Sequence, residues 1–227
     1  MRISGFQKLT LLDFPGKVAC IIFTQGCNFK CPYCQNSGLI GHENENLIEE
    51  EEVISYLKKR QGILDGIVIS GGEPTIQKDL ALFMKKIKEL GYLIKLDTNG
   101  SNPNLIKKLL DEELVDYIAM DIKNVIEDYK DVTGVKVAED NIKKSIKLLK
   151  MSKIDHEFRT TIIKNIHDIN IINKICSYVK DEKMFLQNFE QSENVLDKSL
   201  ESFTNKELID IQKKIKERYP NVVVRGL

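Results

Sequence analysis

The sequence predicts an α/β protein with a parallel sheet, and three observations carry that expectation. Short apolar runs rich in Val, Ile and Leu alternate along the chain with longer segments of helical periodicity. The runs are apolar at nearly every position, the pattern of strands buried on both faces between helices. Polar, Gly-rich or Cys-rich motifs follow the runs directly, and in parallel barrels and doubly wound sheets the C-terminal strand ends share one face and build the site.

Taken in order, Val18–Phe23 (VACIIF) reads as the first strand, with a cysteine-rich loop at its end. Helical periodicity begins near Glu49 and runs through EEEEVISYLKK; the Glu-rich stretch His42–Glu52 reads as a solvated helix start. Gly66–Ser70 (GIVIS) is the second strand and runs into GGEPT. IQKDLALFMKKIKELG is an amphipathic helix closed by Gly91. YLIKLDTNG gives a third strand ending in Asp97-Thr98-Asn99-Gly100, and SNPNLIKKLLDE opens a helix with Pro103 near its first turn. Tyr117–Lys123 (YIAMDIK) is a fourth strand, with the helix NIKKSIKLLKM behind it. His156–Ile163, Met184–Phe189 and Val222–Gly226 supply three more strands, separated by helical stretches. With no low-complexity linker and no repeat, residues 1–227 read as a single domain.

Lys+Arg and Asp+Glu balance at 34 each, so no global basic field invites nucleic acid or an anionic membrane surface. The N-terminus lacks the apolar core of a secretory signal, and no apolar run reaches the length of a membrane span. A cytoplasmic protein is expected, with neither nucleic acid nor membrane as partner. Thiols stay reduced in that compartment, so three of the five cysteines crowded into eight positions point to metal or catalysis rather than disulfides.

GCNFKCPYCQN sets Cys27, Cys31 and Cys34 at CxxxCxxC spacing. Three thiolates can hold three irons of a cubane cluster and leave the fourth open to a ligand. The competing reading is a zinc knuckle with His42 as fourth ligand, although structural zinc favours four closed ligands in CxxC pairs. SGGEP (Ser70–Pro74) offers backbone amides and the Glu73 carboxylate to a small zwitterion, or is only a strand-end turn. DTNG offers Asp97 on the same terms. Alternation puts Asp121 and Lys123 on one strand face, and Arg159 lies on the next strand; buried charges need a partner, either each other or a ligand. Cys20, mid-strand, and Cys176, in a helical pattern, read as small buried hydrophobes.

CxxxCxxC with Tyr33 before the last cysteine, followed in order by GGEP, DTNG and DIK, resembles the radical S-adenosylmethionine superfamily. The opening LLDFPGKVACIIFTQGCNFKCPYCQN resembles its glycyl-radical-enzyme activating branch, and among these the activators of anaerobic ribonucleotide reductase. The resemblance implies a partial (β/α)6 TIM-like barrel carrying a 4Fe–4S cluster on Cys27, Cys31 and Cys34. S-adenosylmethionine would chelate the open iron, and its reductive cleavage would yield a radical that takes hydrogen from a glycine of a partner enzyme. Reduced flavodoxin or ferredoxin is the implied electron donor. Tyr33 would lie near the adenine; Gly71, Gly72 and Glu73 would receive the methionine ammonium; Asp121 and Lys123 would hold the methionyl or ribose end. Cys34, Gln35, Ile122 and Arg159 complete the implied cofactor contacts, and Asp97 with Asp121 are candidates for a monovalent cation, as in the pyruvate formate-lyase activase. The chain departs from that activase at Gln35 and Phe189, where relatives carry His, and it lacks a cysteine-rich insert for a second cluster. The competing functions are activation of another glycyl radical enzyme, radical chemistry on a small molecule or peptide, and an electron carrier or structural metal protein.

Overall fold

The computed structural model describes residues 1–41 and 46–227. His42, the candidate fourth zinc ligand, and the first residues of the Glu-rich stretch lie outside the described residues.

One sheet of eight strands runs in chain order: β1 (Ile3–Thr10), β2 (Ala19–Thr24), β3 (Gly66–Gly71), β4 (Leu93–Thr98), β5 (Tyr117–Asp121), β6 (Asp155–Ile162), β7 (Met184–Asn188) and β8 (Val222–Arg225). From β2 to β8 every neighbouring pair is parallel, while β1 runs antiparallel to β2. Helices α1 (Glu50–Lys59), α2 (Leu80–Glu89), α3 (Pro103–Asp111), α5 (Glu139–Met151), α6 (Ile169–Val179) and α7 (Asn205–Lys216) join successive parallel strands, with a short α4 (Tyr129–Thr133) ahead of α5. Sequential order with parallel pairing is the topology of a (β/α) barrel. Here the ladder is open, with β1 at one edge and β8 at the other, so the barrel is partial.

The seven strands expected from apolar runs are the seven parallel ones. β1 was not expected, because only its end residues Ile3 and Thr10 are buried and its sequence, ISGFQKLT, lacks an apolar run. Two further differences have local causes. The helix expected from Ile76 starts only at Leu80, because Pro74–Ile76 first form a 3-10 turn, capped by the Glu73 side chain. The fourth parallel strand stops at Asp121, so Lys123 stands just beyond the strand rather than on it.

Strand alternation divides the core into two layers. Ile67 and Ile69 of β3, and Ile94 and Leu96 of β4, join the large cluster under the helices. The residues between them turn to the barrel interior, where Ala19, Ile21, Val68, Tyr117 and Ala119 pack around Phe14. Phe14 sits near the N-terminal strand ends, its ring centroid 6.1 Å from that of Tyr117. A side chain at Gly66 would come within 2.9 Å of that ring and 2.6 Å of the Leu93 carbonyl, so the strand start must be bare. Beyond this apolar plug, towards the C-terminal strand ends, the interior becomes polar.

Candidate functional site

The motifs that follow the strands line one cavity of about 550 Å³. That is within the range of small-molecule and cofactor sites. Cys27, Cys31, Tyr33, Cys34 and Gln35 form one wall; Gly71, Gly72 and Glu73 another; Asp97, Asp121, Lys123 and Arg159 the floor. Ile122, alone among the expected cofactor contacts, does not line it. Its side chain is fully buried in the outer core, and its backbone accepts from the Thr160 hydroxyl at 2.7 Å. Phe189 is likewise a core residue.

The cysteine loop has almost no secondary structure of its own and is tied down by its neighbours. Gly26 and Cys27 amides donate to the carbonyls of Leu39 and Ile40 at 2.7 and 3.2 Å, and the Lys30 amide to Thr133 at 2.7 Å. The Pro32 carbonyl accepts from the Asp197 amide at 2.9 Å, and the Gln35 side chain donates to the Glu190 carbonyl at 3.1 Å. On the far side Asn99 of the DTNG turn donates to the Asn28 side chain at 2.9 Å.

SGGEP packs backbone to backbone against this loop. A Cβ on Gly72 would lie 2.0 Å from the Gly26 carbonyl oxygen, and one on Gly71, at φ +115°, would lie 2.2 Å from the Thr24 amide nitrogen. The expectation of free amides here is corrected: Gly72 N–H donates to the Thr24 carbonyl and Glu73 N–H to Gly26, both at 2.9 Å. The Glu73 side chain is 1% exposed and its two oxygens join two turns. They accept from the Thr75 amide at 3.0 Å, the Thr98 hydroxyl at 2.7 Å and the Asn99 amide at 2.6 Å. Burial raises its pKa, against these hydrogen bonds, which lower it.

On the floor, Arg159 Nε donates to Asp121 Oδ1 at 2.8 Å while its Nη1 lies 3.5 Å from Asp97 Oδ2; Lys123 Nζ donates to Asp121 Oδ2 at 2.9 Å. Burial works to raise the Asp121 pKa, but Arg159 and then Lys123 outweigh it and hold the carboxyl well below its usual range. Burial likewise opposes the charge on Lys123, and the Asp121 carboxylate overrides it and holds the ammonium above its usual pKa. Two participants were missed in the sequence: Ser70, whose hydroxyl donates to Asp97 Oδ2 at 3.0 Å, and Lys95, bonded to Asp97 Oδ1. The signal was present, since Lys95 and Asp97 are two apart on a strand and therefore share a face.

The residues fit the two groups that the resemblance implies. Burial pushes the Cys27 thiol up to about 12 and raises Cys31 as well, so a bound cation is what would make these sulfurs thiolates. Among the described residues no three His, Cys, Asp or Glu side chains close around a point where one metal ion could be held. A cubane asks for something different, since it spreads three thiolates over three separate irons. The Tyr33 hydroxyl is buried in the cavity wall beside the Cys31 thiol and has no stronger hydrogen-bond partner, which leaves its oxygen for a ligand. A floor carrying both signs of charge suits a zwitterion. Cys20 and Cys176 are fully buried away from the cavity.

A partial parallel barrel with three thiols and a mixed-charge pocket at its strand ends defines a class, that of enzymes working through an iron–sulfur cluster. The model of the family described as the Radical SAM superfamily matches residues 21–175, and the chain belongs to that superfamily. It is 37% identical, over 235 aligned residues covering 99% of this chain and 96% of the other, to a candidate glycyl-radical enzyme activating enzyme of Methanocaldococcus jannaschii. It is 30% identical to the pyruvate formate-lyase-activating enzyme of Clostridium pasteurianum over 59% of this chain and 57% of that one. Within the superfamily it stands with the glycyl-radical enzyme activating enzymes. Among solved structures, a radical SAM methyltransferase from Sphaerobacter thermophilus superposes with a TM-score of 0.72 at 14% identity, over 96% of this chain and 68% of that one. QueE from Escherichia coli superposes at 0.58 and 15%, over 99% and 93%. At such identities the likeness is one of fold.

Proposed function

We propose that this chain installs a glycyl radical on an anaerobic ribonucleoside-triphosphate reductase in the cytoplasm, taking its electron from reduced flavodoxin or ferredoxin. The observation that carries the activity is the convergence of Cys27, Cys31 and Cys34 with the Asp97–Arg159–Asp121–Lys123 floor in one cavity. When bound, the cluster and S-adenosylmethionine supply the one-electron cleavage of the C–S bond that generates the radical.

The chain's residues bind and orient. With the Gly72 and Glu73 amides spent, the turn meets a methionine ammonium with carbonyl oxygens, which accept from it. Lys123 and Asp121 would hold the methionyl or ribose end, and Tyr33 would lie near the adenine. Asp13 beside β1 and Arg225 with Gly226 at β8 also line the cavity, so it reaches both edges of the open barrel. A gap between those edges would admit a polypeptide loop, and closing that loop over the cavity would exclude water from a reactive radical. No helix among the described residues is long and apolar enough to cross a membrane.

The choice of partner rests on the likeness at residues 9–36 and on Gln35 and Phe189, which depart from the pyruvate formate-lyase activase. The test is anaerobic: reconstitute the cluster, reduce it, add S-adenosylmethionine, and assay 5′-deoxyadenosine with and without candidate partners. A glycyl signal by electron paramagnetic resonance is expected on the reductase. No 5′-deoxyadenosine from a filled cluster would refute the activity, and a signal on formate-lyase alone would refute the partner.

A further inference from the structure

The monovalent cation implied between Asp97 and Asp121 finds no place there, because each of the four carboxylate oxygens already meets a cation of this chain. Asp97 Oδ1 is bonded by Lys95 Nζ, and Asp97 Oδ2 faces Arg159 Nη1 at 3.5 Å. Asp121 Oδ1 accepts from Arg159 Nε at 2.8 Å and Oδ2 from Lys123 Nζ at 2.9 Å. Within this bonded group two negative charges thus stand against three positive ones, while Glu157, buried near Arg159, is met by Arg225 at 3.9 Å and by the Tyr117 hydroxyl at 2.7 Å. A further cation would add to an existing excess in a site largely shielded from water, where like charges repel most strongly.

Lys95 is what tips this balance. It is 2% exposed, on the inward face of β4, flanked in register by Val68 of β3 and Tyr117 of β5. Its ammonium lies 5.9 Å from the Tyr117 ring centroid, on a ring face that favours a cation. The surroundings below it are the apolar plug of Ile21, Val68, Tyr117 and Ala119. An ammonium at this depth needs a partner, because an uncompensated buried charge is strongly destabilising. Lys95 therefore stays on Asp97, whose other oxygen is fixed by the Ser70 hydroxyl at 3.0 Å.

We infer that Lys95 is the resident cation of this site. It is a positioning residue that holds Asp97 as an exchangeable monovalent ion would, so the enzyme works without potassium or sodium. The activity readout rests on the proposed function; the stability readout does not. The reconstituted holoenzyme is compared in potassium, sodium and tetramethylammonium chloride at equal ionic strength, the last ion being too large for the site. Wild type should show the same Tm and the same 5′-deoxyadenosine rate, within about twofold, in all three salts. Lys95→Met keeps most of the stem and removes the charge. It should gain a dependence on potassium, with higher Tm and about tenfold tighter S-adenosylmethionine binding than in tetramethylammonium.

Potassium dependence in wild type would overturn the inference, as would a Lys95→Met deficit equal in all three salts. If that variant fails to fold, the wild-type comparison still decides. Absence of 5′-deoxyadenosine in every salt would sink the proposed activity, while the thermal comparison would continue to judge Lys95.

Discussion

His167 offers a test of how the floor of the site is supported from behind, and the effect can be worked from its surroundings. The ring is fully buried after β6, where Nδ1 accepts from the Ile163 amide at 3.0 Å. The proton of the neutral ring is therefore on Nε2, which lies 3.3 Å from the Lys123 carbonyl and donates to it. Protonating Nδ1 would set one donor against another in a dry site. Burial accordingly pushes the pKa down from 6.5 to about 4, although the Lys123 carbonyl acts to raise it. Unfolding frees the ring to take up a proton at any pH below 6.5, whereas the folded chain binds one only near 4. Stability from this residue is thus complete above pH 6.5, falls as the pH drops to 4, and changes no further below that. The interval is about 2.5 pH units, and at about 1.4 kcal/mol per unit the loss is about 3 kcal/mol. His167→Asn keeps an acceptor for the Ile163 amide but does not titrate. Urea unfolding of the metal-free chain at pH 7, 5.5 and 4 should show the wild-type advantage over the variant shrinking by about 3 kcal/mol. An advantage equal at pH 7 and pH 4 would refute the reasoning.

Three further outcomes are expected. Replacing Cys27, Cys31 or Cys34 with Ala should abolish bound iron after reconstitution, while Cys20→Ala and Cys176→Ala, both at buried sites, should keep it and lower stability by about 1 kcal/mol; iron analysis and melting curves decide. Gly72→Ala must part the SGGEP turn from the cysteine loop, because its Cβ meets backbone at 2.0 Å, and should cost about 3–5 kcal/mol from strain and two lost hydrogen bonds. Gly91→Ala, at φ +86° with open space around it, should cost only about 1 kcal/mol, and equal effects at the two glycines would be a refutation. Glu73→Gln turns an amide group toward donors and should lower stability by about 2 kcal/mol or more, with S-adenosylmethionine affinity, read by calorimetric titration, falling in step.

What the sequence revealed follows from which forces leave a local trace. Strands sandwiched between helices and a filled barrel interior must be apolar throughout, so VACIIF and GIVIS declare themselves. β1 has only one neighbouring strand, with a single bridge from Ile3 to Ile48 besides, and exposes Gln7, Lys8 and Leu9, which leaves no such run to read. The cysteine spacing is local chemistry and needed no tertiary information. The partner of a buried charge, by contrast, depends on register. Asp121 and Arg159 are paired residues across β5 and β6, and Asp97 reaches Arg159 from a strand further away. Lys95 was overlooked because it interrupts an apolar strand, where a lysine invites the assumption of an edge or a strand end. The use of the glycines was also hidden: GGEP reads as an amide-rich turn, and only packing against Thr24 and Gly26 shows the amides consumed.

That packing explains why motifs separated by many residues behave as one unit. A loop with so little regular structure would lose its order to chain entropy unless outside contacts fixed it. Those contacts come from the Thr133 carbonyl at the end of α4, the Glu190 and Asp197 backbone after β7, and Asn99 after β4, so three distant parts of the barrel must be in place before the three sulfurs are. Glu73 repeats the device one layer in, where a single buried carboxylate binds its own turn to Thr98 and Asn99. Because Asn99 is held by Glu73 on its amide and holds Asn28 with its side chain, displacing the GGEP turn moves the DTNG turn and the cysteine loop together. A defect at Gly72 or Glu73 should therefore appear in iron retention as well as in S-adenosylmethionine binding, whereas a defect at Arg159 or Lys123, which do not touch the cysteine loop's backbone, should appear in S-adenosylmethionine binding alone.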